Sequence, residues 1–389
     1  MAEPSDAQPP FLAVQTFIRD HGWDALQGEL RITVKKYDAH GLRKLNYSQV
    51  HSPKLHPVVL DCRGLLLDAD ANVVSRTFRR FFNHGELATH AQFDFANVTV
   101  FEKCDGSLLQ LYYCPQTDRW EMGTRSSAFA EQAKSRGTYR DAILLAMQVG
   151  EDAFGRVAER HLDRRLTYAL EYCGPSNKIG TEYDADHVVL LAVVSNVADH
   201  ELPYEAVQAI CDTLKADGIN IRLPKVYNLT SLEGCRAALN DLLLPTEEGF
   251  VVRHNVTGER MKMKSVKYLA MNGLTNEPTF KRLVRLVHFN EQDEYLATYA
   301  KERPKIDKIV VARGALVQEI QGAYDQAVAG SPTKKQFALA TQSLPYQKTL
   351  LHARKTGSTI EMAMSSMKAF QLVDLLATRM QVDPTAVEF

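Results

Sequence analysis

The 389-residue chain has no CxxC pair, no HExxH or other close His/Cys ligand spacing, no Walker A lysine loop and no GxGxxG. Those absences exclude the common zinc sites and glycine-rich phosphate cradles. No apolar run approaches the roughly 18 residues a membrane helix requires; the strongest, Val188 to Val194, has the length of a buried strand. The start, MAEPSDAQPP, has neither the basic opening nor the apolar stretch of a signal peptide, so a short frayed tail and a cytoplasmic location are expected. Cys62, Cys104, Cys114, Cys173, Cys211 and Cys235 are then expected to be reduced thiols. Charge of neither sign dominates, with 46 Lys and Arg against 47 Asp and Glu, so nothing global announces nucleic acid.

What the chain does have is an ordinary globular composition, 45% apolar and 24% charged, at a length that exceeds the usual domain of about 100–200 residues. Two domains are expected. Residues 11–29 have amphipathic helical spacing. From Arg31 to about Arg125 the texture is short and alternating (RITVKKY, LRKLNYS, RGLLLDA, NVVSRTF, VTVFEK, SLLQLYYC, WEMGTRS), which predicts antiparallel strands. Helical periodicity is expected over about 128–161, strands at LTYALEYC and HVVLLAVVS, helices at 203–216 and 231–243, and a closing hairpin at EEGFVVRHN and ERMKMKS. Beyond about Asn272 the spacing is helical throughout, broken at Pro278, Pro304, Pro332 and Pro345. The fold class is therefore α+β, with antiparallel sheets and flanking helices over 1–272 and an all-helical domain over 273–389, because strands cluster instead of alternating with helices. The methionines at 362, 364 and 367 read as helix packing.

The sharpest local feature is Phe101-Glu102-Lys103-Cys104-Asp105-Gly106-Ser107. A lysine ending an apolar strand before a tight turn is partly buried, and desolvation and neighbouring cations would lower its pKa and free a nucleophilic amine. Gly106 permits the turn, and Asp105 is suited to accept hydrogen bonds from a ribose or to bind a metal. A hairpin whose Asp-Gly turn follows a surface lysine would look the same. Glu248 begins an apolar strand, and Lys262 and Lys264 share a strand face. Two lysines beside a carboxylate suit a phosphate chain and its divalent cation, although a solvated strand face gives the same pattern. Phe81, Phe82, Tyr112 and Tyr113 could stack on bases, but aromatic pairs in strands are more often packing.

KCDG, LEYC, EGFVV and KMK, in this order, resemble the nucleotidyltransferase motifs of the covalent lysyl-AMP ligases and capping enzymes. Asp61-Cys62-Arg63-Gly64 and Ser75-Arg76-Thr77-Phe78-Arg79-Arg80-Phe81-Phe82-Asn83 resemble elements of the bacteriophage RNA ligase 1 family, the tRNA-repair type. The resemblance covers roughly residues 31–270 and implies an ATP-grasp-like nucleotidyltransferase domain. It makes Lys103 the adenylylated nucleophile, Glu171 the carboxylate near the ribose and Glu248 the metal-associated glutamate, with Asp105 a second metal candidate. Lys262 and Lys264 match the α-phosphate lysines. Arg63 and Arg80 match basic residues near the departing pyrophosphate and Arg125 a basic position in the phosphate channel, with Asp105 and Gly106 beside the nucleotide. Arg80 stands where the family usually has lysine, with Arg79 beside it, and YLAMNG lacks the histidine commonly found there.

The implied activity is an ATP-dependent RNA ligase that uses Mg²⁺ or Mn²⁺ and joins 5′-phosphate and 3′-hydroxyl RNA ends through lysyl-AMP and RNA-adenylate. Implied with it are a single-stranded RNA or nicked tRNA loop as partner, a monomeric enzyme acting in RNA repair, and the cytoplasm, including that of a phage-infected host cell. The helical domain would then select the RNA. DNA ligase and GTP-using capping enzyme are the alternatives within the class, disfavoured because both commonly append an OB-type β domain where this chain turns helical. A non-catalytic RNA end-binding protein is the alternative outside it.

Overall fold

The computed structural model describes residues 11–87, 90, 93–134, 137–177, 179, 181–241, 247–271, 278–330 and 333–389. The chain forms two compact units, one of residues 1–48 and 52–272, the other of residues 49–51 and 273–389. The N-terminal decapeptide lies outside the described residues, as do residues 242–243 of the expected helix, Asn272 and Gly273 of YLAMNG, and Pro332.

The first unit is mixed α and β. Strands β1 (Ile32–Tyr37), β2 (Leu42–Tyr47), β3 (Arg63–Asp68) and β4 (Val73–Ser75) make an antiparallel sheet in chain order. The following strands are β5 (Phe82–Asn83), β6 (Val98–Glu102), β7 (Ser107–Cys114), β8 (Arg119–Thr124), β9 (Ala133–Lys134), β10 (Gly137–Thr138), β11 (Leu166–Cys173), β12 (His187–Ser195), β13 (Ile221–Arg222), β14 (Val226–Tyr227), β15 (Gly249–His254) and β16 (Arg260–Lys264). They form two five-stranded sheets, β13-β12-β11-β7-β8 and β14-β6-β15-β16-β5, plus a small β9–β10 hairpin. Most pairs are antiparallel; β12–β13 and β16–β5 are parallel.

The two-residue period of each strand sorts its side chains into a helix-covered face and an open face. In β11, Tyr168, Leu170 and Tyr172 join Leu109, Leu111 and Val188 in a core that also takes Ile143, Phe154 and Val207 from three covering helices. Glu171, on the alternate face of β11, points the other way. In the second five-stranded sheet Phe250, Val252, Met261 and Met263 pack on Cys235, Ala238 and Leu239 of the helix Leu232–Asp241, which leaves Val251, Lys262 and Lys264 on the opposite face. That the site lies on the uncovered faces thus follows from alternation.

Three expected elements differ. The helix expected at 11–29 is two helices, Ala13–His21 and Trp23–Gly28, because Gly22 between them adopts φ +78. Helical structure expected from residue 128 begins at Tyr139, where Thr138 caps the helix and exchanges hydrogen bonds with Asp141; the preceding residues make the β9–β10 hairpin. NVVSRTF is extended in the sheet only over Val73–Ser75, since Arg76 turns away to bond the carbonyls of Ser195 and Ala198.

Every regular element described in the second unit is helical. Phe280–His288 packs against Arg303–Gly330 and Ala369–Met380. The chain's end returns to it: Phe280 and Lys281 N–H groups donate to the carbonyls of Ala386 and Pro384, which satisfies the helix start. Pro304 does not break a helix but sits in the first turn of Arg303–Gly330, where a missing N–H costs nothing. Met364 is buried in the packing, while Met362 and Met367 are not. No described helix is long and apolar enough to cross a membrane.

Candidate active site

A cavity of about 620 Å³ opens between the uncovered faces of the two five-stranded sheets. Its wall carries Lys103, Arg63, Gly106, Arg125, Glu171 and Lys262, six of the residues expected from sequence. Glu248 and Lys264 stand behind Lys103. The Lys103 ammonium donates to Glu248 Oε2 at 2.5 Å, and Lys264 Nζ lies 3.4 Å from Oε1 of the same carboxylate. The backbone fixes this meeting, because Lys103 N–H donates to Gly249 O and Ser265 N–H to Glu248 O, each at 2.8 Å. The partner beside the lysine is therefore a buried carboxylate, not the surrounding cations expected from sequence.

Two glycines make the approach possible. A Cβ on Gly106 would lie 2.3 Å from Tyr172 O and one on Gly249 2.1 Å from Met263 O. Gly106 is thus required less by its turn than by the closeness of β11; Gly249 also adopts φ +141, where only glycine is comfortable.

Three cations of the cavity wall rest on rings. Arg63 lies 4.8 Å from the Phe78 centroid and 5.6 Å from that of Phe81; Lys262 sits over Phe81 at 5.0 Å and Arg260 over Phe78 at 4.6 Å. Arg63 Nη1 is shielded from solvent and has no hydrogen-bond partner among the described residues. Burial lowers the Arg63 pKa from its ordinary value, although Tyr47 and Glu171 pull it back. A guanidinium held charged with unused donors is suited to an incoming anion. Phe81 is accordingly a cavity residue, whereas Tyr112 and Tyr113 belong to the core.

Glu171 is the cavity's other carboxyl. Burial, opposed by Lys103 and raised further by Cys173, pushes it up to about 8. Beside it, Ser107, Asn177 and Tyr139 form a polar cluster in the wall: the Asn177 amide donates to Ser107 Oγ at 3.0 Å and to Tyr172 O at 2.8 Å.

Besides Glu248 and Lys264, two more expected residues are absent from the wall. Asp105 Oδ2 accepts from Thr181 N–H at 2.6 Å and from the Tyr268 hydroxyl at 2.8 Å, and Asp105 N–H donates to the Tyr183 hydroxyl at 3.0 Å. It clasps the turn after Lys103 through these neutral groups. Arg80 lies over the rings of Tyr47 and Phe82 and lines a neighbouring cavity. Arg79 also lines that cavity, paired with Asp61 at 2.7 Å and Asp199 at 2.9 Å.

Sequence reasoning missed Arg260, Ser107, Asn177 and Tyr139. Arg260 was within reach, since the alternation that aligns Lys262 with Lys264 includes it; it and Arg253, both buried, pair with the half-buried Glu201. The other three carry no sequence signal. For a divalent cation the available donor is Glu248, with Glu171 across the cavity. Hard carboxylate oxygens fit Mg²⁺ or Mn²⁺, which complete their shells with water and substrate phosphates, and no group of three or more His, Cys, Asp or Glu suited to a metal occurs among the described residues.

An RNA ligase family model matches residues 61–269, which contain this whole cavity. The chain belongs to that family, the one typified by bacteriophage RNA ligase 1. A protein of Autographa californica nuclear polyhedrosis virus named "Putative bifunctional polynucleotide kinase/RNA ligase" is 31% identical over a 377-residue alignment that covers 92% of this chain and 51% of the viral protein. The chain thus spans about half the length of this relative. Among solved structures, an RNA ligase variant of Naegleria gruberi with ATP and Mn matches at TM-score 0.38 and 15% identity, over 47% of this chain and 53% of that one. Another variant, with AMP and Mn, matches at 0.41 and 13%, over 50% and 57%.

Proposed function

We propose that this chain is an ATP-dependent RNA ligase that joins 5′-phosphate and 3′-hydroxyl RNA ends, with Lys103 as the nucleotide-accepting amine. The observation that carries the reading is a lysine in a cavity wall, backed by Glu248 and faced by an arginine with unspent donors. Lys103 attacks the α-phosphate of ATP. Its nitrogen forms the new bond to phosphorus as the bond to the bridging oxygen breaks and pyrophosphate leaves. Glu248 Oε2 orients the amine and is a base within hydrogen-bond reach of its proton. Arg63, Lys262 and Arg260 present positive charge where pyrophosphate charge develops, and Lys264 reaches the same region through Glu248. A Mg²⁺ or Mn²⁺ ion held by Glu248 supplies charge neutralisation for the phosphates when bound.

AMP then passes from Lys103 to an RNA 5′-phosphate, and an RNA 3′-hydroxyl displaces it to close the phosphodiester. In-line displacement at phosphorus asks for alignment, which a cavity between two rigid sheets provides. We assign adenylyl transfer to residues 1–272 and choice of RNA to the helical residues 273–389. Single-stranded RNA or a nicked tRNA loop, in RNA repair in the cytoplasm, is the substrate we infer for a monomeric enzyme.

The test is incubation of a 5′-phosphorylated single-stranded RNA with the protein, ATP and Mg²⁺. Circular RNA is expected with ATP and not with GTP. A gel shift of the RNA with neither adenylylation nor joining would leave only an end-binding protein.

A further inference from the structure

Regular alternation would turn Arg63 away from the cavity. Leu65 and Leu67 of β3 face the core under the helices Ala13–His21 and Pro57–Asp61, and Arg63 stands two residues before Leu65. A β-bulge reverses the face. Leu65 pairs with Leu45 of β2, but Arg63 pairs with Asn46, so Gly64 is skipped and Arg63 passes to the side of Leu42 and Lys44, where it lines the cavity. Gly64 adopts φ +70, and a Cβ there would stand 2.9 Å from Arg125 O, so the bulge also abuts the backbone of a second cavity arginine.

A buried glutamine grips this bulge. Gln110 shares the face of β7 on which Leu108 reaches the cavity and Tyr112 packs with Leu42 and Leu66. Its Nε2 donates to Gly64 O at 2.6 Å, while its Oε1 accepts from Lys44 Nζ and, at 3.2 Å, from Ser75 Oγ. An ammonium only donates and a carbonyl only accepts, so the amide cannot turn over. The Lys44 side chain is buried, and among the described residues its ammonium has no ion pair and no hydrogen-bond acceptor besides Gln110. Burying a lysine against one amide costs stability, and an apolar pair of similar length would fill the space without that cost.

We propose that Lys44 and Gln110 are positioning residues that hold the Gly64 bulge and so aim Arg63 into the cavity. Lys44 fixes the amide, the amide fixes the Gly64 carbonyl, and the bulge decides which face Arg63 takes. The effect on AMP uptake rests on the proposed ligase reading; the placing of Arg63 does not.

The experiment combines crystal structures with AMP uptake for the double variant Lys44→Met, Gln110→Leu and for Gln110→Glu. The first replaces both partners by apolar side chains, which a fold tolerates better than the loss of one. The second keeps a partner for Lys44 and loses the donor to Gly64 O, so it serves if the first does not fold. In both, the Arg63 guanidinium is expected to leave the Phe78 and Phe81 rings, and uptake at saturating ATP to fall about tenfold. Introduced into Arg63→Met, the same changes should lower uptake by less than about twofold, because they act through Arg63. Arg63 unmoved over its rings in a folded variant, or an equal fall with and without Arg63, would overturn the proposal. An unmutated chain that takes up no AMP would instead contradict the ligase reading, with the position of Arg63 in the crystals still deciding the clamp.

Discussion

The side chains of Lys103 and Glu248 meet at 2.5 Å across 145 residues of sequence, and Lys264 shares the same carboxylate from 3.4 Å. One buried acid thus holds two cations. Glu248→Gln keeps the shape and removes the charge. AMP uptake is expected to fall at least about 100-fold, in line with loss of one positioned electrostatic group. Uptake within threefold of the unmutated chain would remove Glu248 from the mechanism.

Arg63 presents the opposite balance of stability and function. Its Nη1 has no hydrogen-bond partner among the described residues, so the guanidinium is costly to bury there. Arg63→Met is expected to leave the melting temperature unchanged or raised, with a gain of up to about 2 kcal/mol, while uptake falls about 100-fold. A large loss of stability would show that Arg63 is a structural ion.

Glu171 links stability to pH. Below about 4.5 the folded and unfolded chains both carry its proton; from there to about 8 only the folded chain keeps it, so its contribution is lost as pH rises through that window. Glu171→Gln should abolish that loss, a relative gain on the order of 2 kcal/mol at about pH 8.5 compared with about pH 5, smaller than full burial would give because the group lines an open cavity. Parallel melting curves for the variant and the unmutated chain across that range would contradict the assignment.

Tyr268 acts through Asp105. Tyr268→Phe removes a neutral donor from that carboxylate and should cost about 1–2 kcal/mol in denaturant unfolding. It should also slow AMP uptake without altering the apparent affinity for ATP, because the turn it steadies positions Lys103. A change in affinity alone would place Tyr268 at the nucleotide instead.

The strands were legible because their two-residue period is strong, and it also placed Lys262 and Lys264 on one face. Lys103, Glu171 and Glu248 were legible through family motifs, not through spacing, since β11 and β15 bring them together only by sheet pairing. Gly22 was misread because a glycine inside an amphipathic pattern is ordinarily tolerated, and here it takes φ +78. Arg80 and Asp105 match motifs, but their side chains are turned to Tyr47 and Phe82 and to Tyr268 and Thr181, contacts that depend on tertiary packing. Asn177 and Ser107 reach the cavity from a short helical turn and a strand start, with no pattern to mark them.

The most direct measurement is peptide mapping of the chain after incubation with ATP and Mg²⁺, alongside Lys103→Ala. One AMP per chain, attached at Lys103 and missing from a folded Lys103→Ala, is the predicted result. AMP on another residue, or undiminished labelling of the variant, would contradict it.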